Sequence, residues 1–506
     1  MGCNHSREGE RLYSIPIESY TEPKGETPVY RNPNWTGKLL DHFHERWQDV
    51  RNLQQMYLRI FETYGDLKMT GTRTFKADGT FDGYRYRTYN ETFEISKKVG
   101  SAIFNLDLAP IYQEQGVDYR FVALYAKNRE EWMQVDIACS LYGITSLPLY
   151  DTLGEEALKF VFDQTEVQTV FCAGDKVEKL LKGVETKRFA SLKNIVAFDN
   201  FKEELKAKAQ ELNVRVITYP DLLVQGEKFV EFPKVHEMTM YTFCYTSGTT
   251  DLPKAVMISH GNVIAEIATC EELPDFNLDV IGPGDRAFSY LPLAHVLERM
   301  LINIEFSRGA VVGFFTGDIS KLKDELADFQ PTMLTAVPRV LNRFYDAIKA
   351  QLEQIPADSM KKRLVDKAIQ TKLKNLKKDG TLTHKLYDAL VFNKMKAAIG
   401  GKMKYIFTGG APLSPDVHDF LRIAFCCPIN QGYGLTETIA AIFIQRSTDP
   451  QSGHVGGPFA ACEFKLVDIP DMNYRATDKG PNGELMPRGE ICIRGSLVFK
   501  GYFKDP

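Results

Sequence analysis

The chain has 506 residues, 44% hydrophobic and 25% charged, with a formal net charge of −4. This composition is typical of a soluble globular protein with several hydrophobic cores, and the net charge gives no general attraction to nucleic acid. No run of about 18 apolar residues occurs, so no transmembrane helix is expected. An odd total of nine cysteines without a C-x-x-C pair indicates scattered thiols in a reducing compartment rather than a metal cage.

The first predicted segment, residues 1–36, is a tail rich in Pro, Glu, Ser and Arg. It begins Met1-Gly2-Cys3-Asn4-His5-Ser6, which fits the pattern M-G-x-x-x-[ST] for myristoylation of Gly2. Cys3 could then carry a palmitoyl chain, and two acyl chains hold a membrane stably where one does not. The alternative is a chance match in a disordered tail.

The next predicted part, residues 37–285, is an α/β region. An amphipathic helix is expected over 39–64, a half-exposed strand over 84–89 and a helix from there to Leu106. Short apolar runs then alternate with helical patterns, which predicts βαβ units and a mostly parallel sheet. The predicted strands are 121–126, 145–149, 169–172 and 195–198, and the predicted helices include 130–142 and 154–163.

The same alternation returns in residues 286–461, predicted as a second α/β part that shares one cleft with the first. Its predicted strands are 310–315, 333–336, 405–408 and 440–444, and a lysine-rich helical stretch over 351–404 interrupts them. That stretch favours a solvated face, with contact to anionic lipid or CoA phosphates as the alternative. Residues 462–506 predict a small β-rich subdomain with strands at 464–467, 483–486 and 489–494.

One segment has the composition needed to hold a polyphosphate. Residues 245–254 read Tyr-Thr-Ser-Gly-Thr-Thr-Asp-Leu-Pro-Lys. The hydroxyls of Ser247, Thr249 and Thr250 can donate to phosphoryl oxygens, Gly248 permits close backbone approach, and Lys254 adds a mobile positive charge. The spacing is not G-x-x-x-x-G-K-[ST], so a P-loop is excluded. A solvated turn between a strand and a helix is the alternative.

Three further segments follow in the chain. Residues 290–295 read Tyr-Leu-Pro-Leu-Ala-His, residues 408–412 read Thr-Gly-Gly-Ala-Pro, and residues 431–437 read Gln-Gly-Tyr-Gly-Leu-Thr-Glu. Together with 245–254, and in this order, they resemble the adenylate-forming superfamily of acyl-CoA synthetases, luciferases and peptide-synthetase adenylation domains. Residues 289–299 look most like the eukaryotic long-chain fatty acid CoA ligases.

The resemblance implies the large N-terminal domain of the adenylate-forming fold and an ATP- and Mg²⁺-dependent ligase. Such an enzyme converts a long-chain fatty acid into an acyl-adenylate and then, with CoA as co-substrate, into acyl-CoA. The implied catalytic residues are Lys254, Glu437, Thr249 and His295. Glu437 and Thr249 are also implied to bind the metal ion. The implied nucleotide-binding residues are Thr246, Ser247, Gly248, Thr249, Thr250, Lys254, Gly409, Gly410, Ala411, Pro412, Gln431, Gly432, Tyr433, Gly434 and Thr436.

Each assignment has an alternative that rests on local structure. Glu437 could serve as a charge at a helix N-terminus, since Thr436-Glu437-Thr438 could begin a helix. Tyr433, which the resemblance assigns to adenine, could be an ordinary turn residue. His295, assigned to the acyl carboxylate region, could be an interior residue.

The sequence departs from the family pattern at two places in the phosphate segment. Asp251 and Ala255 stand where the family usually has glycine, and an added carboxylate near a triphosphate should weaken nucleotide binding. Family members also continue to a ribose-binding aspartate, a hinge and a mobile C-terminal domain with a catalytic lysine. Because the sequence stops at Pro506, impaired adenylation and no efficient CoA transfer are expected of it.

The leading hypothesis is therefore a long-chain fatty acid CoA ligase held on a cytosolic membrane face by its acylated N-terminus. Its expected partners are fatty acid, ATP, CoA and the membrane surface, with no nucleic acid and no obligate protein partner. The alternatives are a ligase for a different carboxylic acid and a membrane-anchored acyl- or nucleotide-binding protein without turnover.

Overall fold

The computed structural model describes residues 12–17, 24–246, 252–272 and 281–505. The chain forms two compact units, each built from stretches that are separate in sequence. Unit 1 comprises Met1–Glu45, Ala265–Ile281 and Ser320–Val498, and unit 2 comprises Arg46–Ile264, Gly282–Ile319 and Phe499–Pro506. Boundaries drawn along the sequence, such as the predicted 285/286, cannot represent this interleaving, and the predicted domain ranges stay predictions.

The strands are short and most of them are buried. In chain order they are β1 (Ile15–Pro16), β2 (Tyr30–Arg31), β3 (Lys68–Phe75), β4 (Phe81–Thr88), β5 (Ile111–Glu114), β6 (Val117–Tyr125), β7 (Thr145–Pro148), β8 (Thr169–Cys172), β9 (Asn194–Ala197), β10 (Arg215–Thr218), β11 (Met240–Thr246), β12 (Lys254–Ser259), β13 (Arg286–Ser289), β14 (Val311–Phe314), β15 (Met333–Thr335), β16 (Tyr405–Thr408), β17 (Ile429–Tyr433), β18 (Phe443–Ile444), β19 (Gly457–Pro458), β20 (Cys462–Val467) and β21 (Glu490–Gly495).

The helices lie between the strands. They are α1 (Leu53–Tyr64), α2 (Tyr89–Asn105), α3 (Glu130–Tyr142), α4 (Glu155–Thr165), α5 (Val177–Glu185), α6 (Glu204–Glu211), α7 (Tyr219–Gln225), α8 (His260–Glu272), α9 (Val296–Ser307), α10 (Leu322–Phe329), α11 (Pro338–Glu353), α12 (Met360–Asp379), α13 (Lys385–Tyr387), α14 (Asn393–Ala397) and α15 (Pro415–Phe425). Among the described residues, no helix combines the length and the apolar character needed to cross a membrane.

Unit 2 contains a mostly parallel sheet with the order β10-β9-β8-β6-β7-β11-β12. Every neighbouring pair is parallel except β11 and β12, which form an antiparallel pair at one edge. The central strands are uniformly buried, as expected for strands covered on both faces. A second set in unit 2 has parallel pairs β13–β14 and β14–β3 and an antiparallel pair β3–β4. The predicted α/β class with mostly parallel sheets is confirmed.

Unit 1 contains parallel β15, β16 and β17, followed by antiparallel β18 and β19. It also contains a small antiparallel sheet with the order β1-β2-β20-β21. Two of these strands, β1 and β2, come from the predicted tail, so residues 12–17 and 24–36 are partly structured. Short strands of this kind carry little local signal: among the described strands, β1 pairs only with the two-residue β2, and β2 pairs with β20, which lies more than 400 residues away in the chain.

Several elements have the bounds predicted from the sequence, and others are shorter than predicted. The helix α3 and the strands β8 and β16 have the predicted bounds. The predicted helix over 39–64 begins only at Leu53, where Asn52 caps it through the backbone N–H of Gln55. The predicted strand at 483–486 is wrong, because the only pairing there is an isolated bridge between Lys479 and Leu485. The predicted strand at 440–444 shortens to β18, since Ala440 adopts a φ of 125° that extended backbone does not have.

The lysine-rich stretch is largely helical, as predicted, but one lysine points inward. Lys372 on α12 is fully buried, and its Nζ donates to Asp388 Oδ1 at 2.6 Å and to the carbonyl of Ile423 at 2.7 Å. A buried ammonium needs such partners to offset its desolvation. Lys372 is therefore part of the packing of unit 1 and not of a solvated face.

A buried ion pair joins the helices of unit 2 to its large sheet. Arg299 on α9 donates to Asp136 Oδ1 on α3 at 2.5 Å, and also to Thr242 Oγ1 on β11 at 2.8 Å and Ser146 Oγ on β7 at 3.0 Å. Tyr241 completes the cluster with a 2.6 Å hydrogen bond to Asp136 Oδ2. The pair fixes α9, which directly follows the predicted site residue His295, against the strand that leads into the predicted phosphate segment.

Candidate functional site

The predicted phosphate segment connects the two strands of a hairpin in unit 2. Thr246 ends β11 and pairs with Lys254, which begins β12. The four predicted residues Ser247, Gly248, Thr249 and Thr250 lie outside the described residues, as does Asp251. The segment is therefore held at both ends by a strand pair, whereas the alternative interpretation placed it between a strand and a helix; α8 follows only after β12.

Lys254 is half-buried and has a defined environment. Its Nζ lies 3.5 Å from Asp505 Oδ2 and 4.8 Å from the centre of the Tyr502 ring. Both partners belong to a segment that pairs with β12, because Met257 donates its N–H to the carbonyl of Gly501 and Phe503 donates its N–H to the carbonyl of Ala255. The sequence did not predict that this segment would contact Lys254.

The departure at Ala255 has no conformational consequence. Ala255 lies within β12, pairs with Tyr245 and is buried. It does not have a positive φ, so the backbone at this position does not require glycine.

His295 caps helix α9. Its Nδ1 accepts a hydrogen bond from the backbone N–H of Leu297 at 3.1 Å. An accepting Nδ1 places the proton of the neutral ring on Nε2. Although part of the residue is exposed, desolvation by the surrounding protein lowers the pKa of the ring below its usual value. His295 is thus a neutral imidazole near pH 7, available as a hydrogen-bond donor through Nε2.

In unit 1, two of the predicted motifs meet at the carboxyl ends of neighbouring strands. Thr408 at the end of β16 is the register partner of Gln431 on the parallel strand β17. The predicted residues Gly409–Pro412 follow β16, and Gln431–Glu437 complete and follow β17. Ligand-binding loops of α/β proteins lie at this edge of a parallel sheet.

Glycines let these two strand ends approach each other closely. A Cβ at Gly409 would lie 3.2 Å from the carbonyl oxygen of Gly432, and a Cβ at Gly432 would lie 2.8 Å from the Phe407 ring. Gly410 has a φ of 81° and open space above it, and it is exposed together with Ala411 and Pro412. The loop is therefore accessible to a ligand, and only at Gly410 does the backbone require the left-handed region.

The turn after Tyr433 is tightly packed and strained. A Cβ at Gly434 would overlap the carbonyl oxygen of Ala440, and Ile439 and Ala440 have φ values of 64° and 125°. Thr438 closes the turn, since its Oγ1 accepts from the N–H of Leu435 at 2.9 Å. Such conformations in a non-glycine residue, above all in β-branched Ile439, are uncommon and persist where the surroundings fix them.

Tyr433 and Glu437 lie on either side of Gly434. Tyr433 is half-buried, with its ring centre 6.1 Å from that of Phe443. Glu437 is half-buried in a single 3-10 turn, Thr436–Thr438. A carboxylate in this position could serve as an oxygen ligand for Mg²⁺.

The strand ends also carry buried polar atoms that fit a bound ligand. Within the described residues, Thr408 Oγ1 and Gln431 Oε1 have no hydrogen-bond partner, although both atoms are buried. A buried polar atom without a partner costs about 1–3 kcal/mol, so an ordered water or a ligand at this edge would offset a real penalty. Sequence reasoning predicted Gln431 but not Thr408, whose position at the last residue of a buried strand was the available signal.

The structure thus brings together Gly409–Pro412 with Gln431–Glu437 in unit 1, and Thr246 with Lys254 in unit 2. The catalytic roles of Lys254, Glu437, Thr249 and His295 stay predictions, as does metal binding by Glu437 and Thr249. The lipidation sites Gly2 and Cys3 lie outside the described residues.

Residues 68–503 match the family model described as AMP-binding enzyme. The chain is 39% identical to the Arabidopsis thaliana protein "Long chain acyl-CoA synthetase 7, peroxisomal" over 98% of its own length and 67% of that protein. It is 35% identical to "Long-chain-fatty-acid--CoA ligase 1" of Cavia porcellus over 91% of its own length and 63% of that protein. The chain therefore spans about two thirds of the length of these relatives.

Among solved structures, the A domain of a carboxylic acid reductase from Segniliparus rugosus, in complex with AMP and a co-purified carboxylic acid, superimposes with a TM-score of 0.71. That match covers 91% of this chain and 69% of the other chain at 21% identity, and it shows a common fold. The family match covers both loops at the β16 and β17 strand ends and the β11–β12 hairpin that contains Lys254. The chain belongs to the AMP-binding enzyme family and has the adenylate-forming fold.

Proposed function

We propose that this chain activates a long-chain fatty acid with ATP, forming an acyl-adenylate that is then transferred to CoA. The family membership and the names of the relatives support this proposal. The structural observation that carries it is the meeting of Gly409–Pro412 and Gln431–Glu437 at two neighbouring strand ends. This edge offers close backbone approach, unpartnered polar atoms and an aromatic ring, which suit a nucleotide base and its phosphate.

Each proposed role follows from the side chain's chemistry. Tyr433 stacks on the adenine through the ring face that Phe443 does not cover. Lys254 neutralises charge on the phosphates, since its ammonium is a mobile point charge with three donors. Glu437 would hold Mg²⁺ through one carboxylate oxygen, and the ion would supply electrostatic stabilisation of the phosphates when bound.

His295 has a role in placing the acid. A neutral imidazole donates one hydrogen bond without adding a positive charge, and its Nε2–H is the free donor because Nδ1 is occupied by the Leu297 N–H. We assign this donor to the fatty acid carboxylate. A protonated ring would instead bind the carboxylate as an ion pair and reduce its nucleophilicity.

The test is fatty-acid-dependent exchange of pyrophosphate into ATP, measured with Mg²⁺ and acids of increasing chain length. Exchange is expected with palmitate and not with acetate. Lys254→Ala and Glu437→Gln should each lower the exchange rate by roughly 10²–10³-fold, the usual effect of losing one electrostatic contact to a transition state. Lys228→Ala, an exposed lysine in unit 2, is the control and should leave exchange unchanged.

Two results would contradict the proposal. One is exchange with short or aromatic acids but not with long-chain acids, which would indicate a ligase for a different carboxylic acid. The other is the absence of MgATP binding and of exchange with every acid, which would indicate a protein without turnover.

We further propose attachment to a membrane through acylation of Gly2 and Cys3. The motif Met1-Gly2-Cys3 followed by Ser6 supports it. Mass spectrometry of the protein from its native source should show a myristoyl group on Gly2 and a thioester-linked acyl chain on Cys3. Gly2→Ala should release the protein from membranes, and an unmodified Gly2 in the native protein would refute the proposal.

A further inference from the structure

A cluster of metal-ligating side chains lies in unit 1 and has no part in the proposed adenylation. Asp41, His42 and His44 each offer one ligand atom, and these atoms lie within 4.8 Å of one another. The two imidazole rings have centres 4.6 Å apart. In a tetrahedral Zn²⁺ site the ligand atoms are separated by roughly 3.3 Å, as metal–ligand bonds of about 2.0–2.2 Å require. Side-chain movements that shorten the separations between ligand atoms by at most about 1.5 Å would therefore complete the site.

The backbone that carries the cluster is fixed on the sides facing the protein. Phe43, between the two histidines, is fully buried, and Leu40 donates its N–H to the carbonyl of Ala460 at 3.1 Å. On the outer side, the Trp35 indole donates to the carbonyl of Lys38 at 2.7 Å. A fixed backbone lowers the conformational entropy that metal binding must overcome.

A second observation points to a missing ligand at this place. Glu272, at the end of α8, accepts hydrogen bonds through Oε1 from the backbone N–H groups of His44 and Glu45. Its other oxygen, Oε2, is buried and has no hydrogen-bond partner in the part of the chain that the structure describes. A buried carboxylate oxygen without a partner is costly, and the negative charge of Glu272 beside the His44 backbone favours a cation nearby.

One interaction that a metal ion would replace is a weak ion pair. Asp41 Oδ2 accepts from Lys38 Nζ at 2.8 Å, but the Lys38 side chain is 84% exposed. Ion pairs of this kind contribute little to stability. The hydrogen bond between His42 Nδ1 and Asp41 Oδ1 would also be replaced, because both atoms would bind the ion.

We propose that Asp41, His42 and His44 bind a divalent transition-metal ion of the Zn²⁺ class, with Glu272 Oε2 or a water as the fourth ligand. Two imidazoles with one or two carboxylates match the ligand set that such ions prefer over Mg²⁺. The ion would join the segment 41–45 to the end of α8 within unit 1. The candidate site contains no cysteine, and its signal in the sequence is the short string Asp41-His42-Phe43-His44.

The test uses the chain after removal of metal ions by chelation. Calorimetric titration with Zn²⁺ is expected to show one saturable site. His42→Ala and His44→Ala should each weaken Zn²⁺ affinity by more than the roughly 10–100-fold that loss of an outer partner costs. Asp41→Asn and Glu272→Gln test the carboxylates. The control is His236→Ala, an exposed histidine in unit 2, which should leave the affinity unchanged.

Tryptophan fluorescence gives an independent readout. The ring centres of Trp35 and His44 are 5.0 Å apart, so Ni²⁺ or Cu²⁺ at the site should quench Trp35. Excess Zn²⁺ should displace Ni²⁺ and reverse its quenching, and Trp35→Phe should abolish the quenching. Absence of a saturable Zn²⁺ site, or binding and quenching that persist in His42→Ala and His44→Ala, would overturn the proposal. Full Zn²⁺ affinity in Asp41→Asn would show that Asp41 is not a ligand. Full Zn²⁺ affinity in Glu272→Gln would show that Glu272 is not a ligand.

Discussion

Lys254 lies close to two residues that are far from it in sequence, Tyr502 and Asp505. This arrangement has consequences for nucleotide binding. Asp505 is about half exposed and lies 3.5 Å from the lysine. An ion pair of that kind contributes roughly 0.2–1 kcal/mol. If Lys254 binds the phosphates of ATP, Asp505 competes with them for the same ammonium group.

We therefore expect Asp505→Asn to lower KM for ATP by up to about fivefold, the equivalent of 1 kcal/mol. Steady-state pyrophosphate exchange at varied ATP measures this directly. Asp505→Glu retains the charge and should behave like the unaltered chain. A higher KM in Asp505→Asn would instead show that Asp505 orients Lys254 toward its ligand.

Gly434 is the second residue with a specific consequence, because no other residue fits its position. A Cβ there would overlap the carbonyl oxygen of Ala440, so the turn that carries Tyr433 and Glu437 must move. Gly434→Ala should cost about 1–3 kcal/mol of unfolding free energy. The exchange rate should fall on the order of 10²-fold, since a displacement of about 1 Å at a site has that effect.

The matched control is Gly37→Ala, also in unit 1. Gly37 has no neighbouring atom within 4 Å of an added Cβ and no positive φ. It should be neutral in both urea unfolding and exchange. Normal exchange in Gly434→Ala would mean that the turn can move without affecting the nucleotide.

At the scale of elements, one histidine of unit 2 connects the first residues of two helices. His260 begins α8 and is fully buried, and its Nδ1 accepts the N–H of Leu53, the first residue of α1, at 3.2 Å. Burial lowers the pKa of His260 to about 3. Only the neutral ring can accept this hydrogen bond, so the start of α1 depends on His260 staying unprotonated.

The direction of the pH dependence follows from the lowered pKa. The unfolded chain binds a proton at His260 near pH 6.5, whereas the folded chain does so only near pH 3. Its contribution to stability is complete above pH 6.5 and is lost as the pH falls through this window. At pH 5 the loss is about 2 kcal/mol.

His260→Gln removes the titrating group and keeps an acceptor for the Leu53 N–H. Urea unfolding of this variant at pH 8 and pH 5 should show a difference about 2 kcal/mol smaller than in the unaltered chain. The exposed His236→Gln should leave the pH dependence unchanged. An identical pH dependence in His260→Gln would show that other groups cause the acid sensitivity.

The hydrophobic pattern of the sequence is sufficient to predict some elements with their correct bounds. Buried strands such as β8 and β16, and the helix α3, were predicted with correct bounds because continuous apolar runs and breakers mark them locally. The predicted helix over 39–64 was too long, because Leu40 and Phe43 are buried without being helical. Apolar spacing alone cannot distinguish a residue buried on a helix from one buried in non-helical backbone.

The candidate site was predictable to a similar degree. The motif residues at 408–412 and 431–437 were found from composition and resemblance, and parallel strand ends place them together as expected. The contact between Lys254 and Asp505 and the histidine cluster at 42–44 were not found. The first depends on which distant segments pack together, which single-sequence patterns do not show, whereas the second was marked by the short string Asp41-His42-Phe43-His44.

At the scale of the whole molecule, the chain passes between the two units several times. Residues Ser320–Val498 belong to unit 1, yet the next segment, Phe499–Pro506, belongs to unit 2. Within that segment, Phe503 is buried in the core of unit 2, with its ring centre 4.8 Å from that of Phe243. Lys504 adds hydrogen bonds to Tyr112 and to the carbonyl of Gln164. The core of unit 2 therefore includes residues far from the rest of it in sequence.

Phe503→Ala should accordingly destabilise unit 2 by about 3–5 kcal/mol, the range for removing a buried phenylalanine ring. Hydrogen exchange should show the loss in the strands that contact this residue, β11 and β12, before it reaches the small β1-β2-β20-β21 sheet of unit 1. Phe75→Ala is the matched control, because Phe75 is 51% exposed and its removal should change the unfolding free energy by less than about 0.5 kcal/mol. Equal loss of protection in both units would mean that they unfold as one cooperative body. Unchanged protection of β11 and β12 would mean that the segment after Val498 adds nothing to the stability of unit 2.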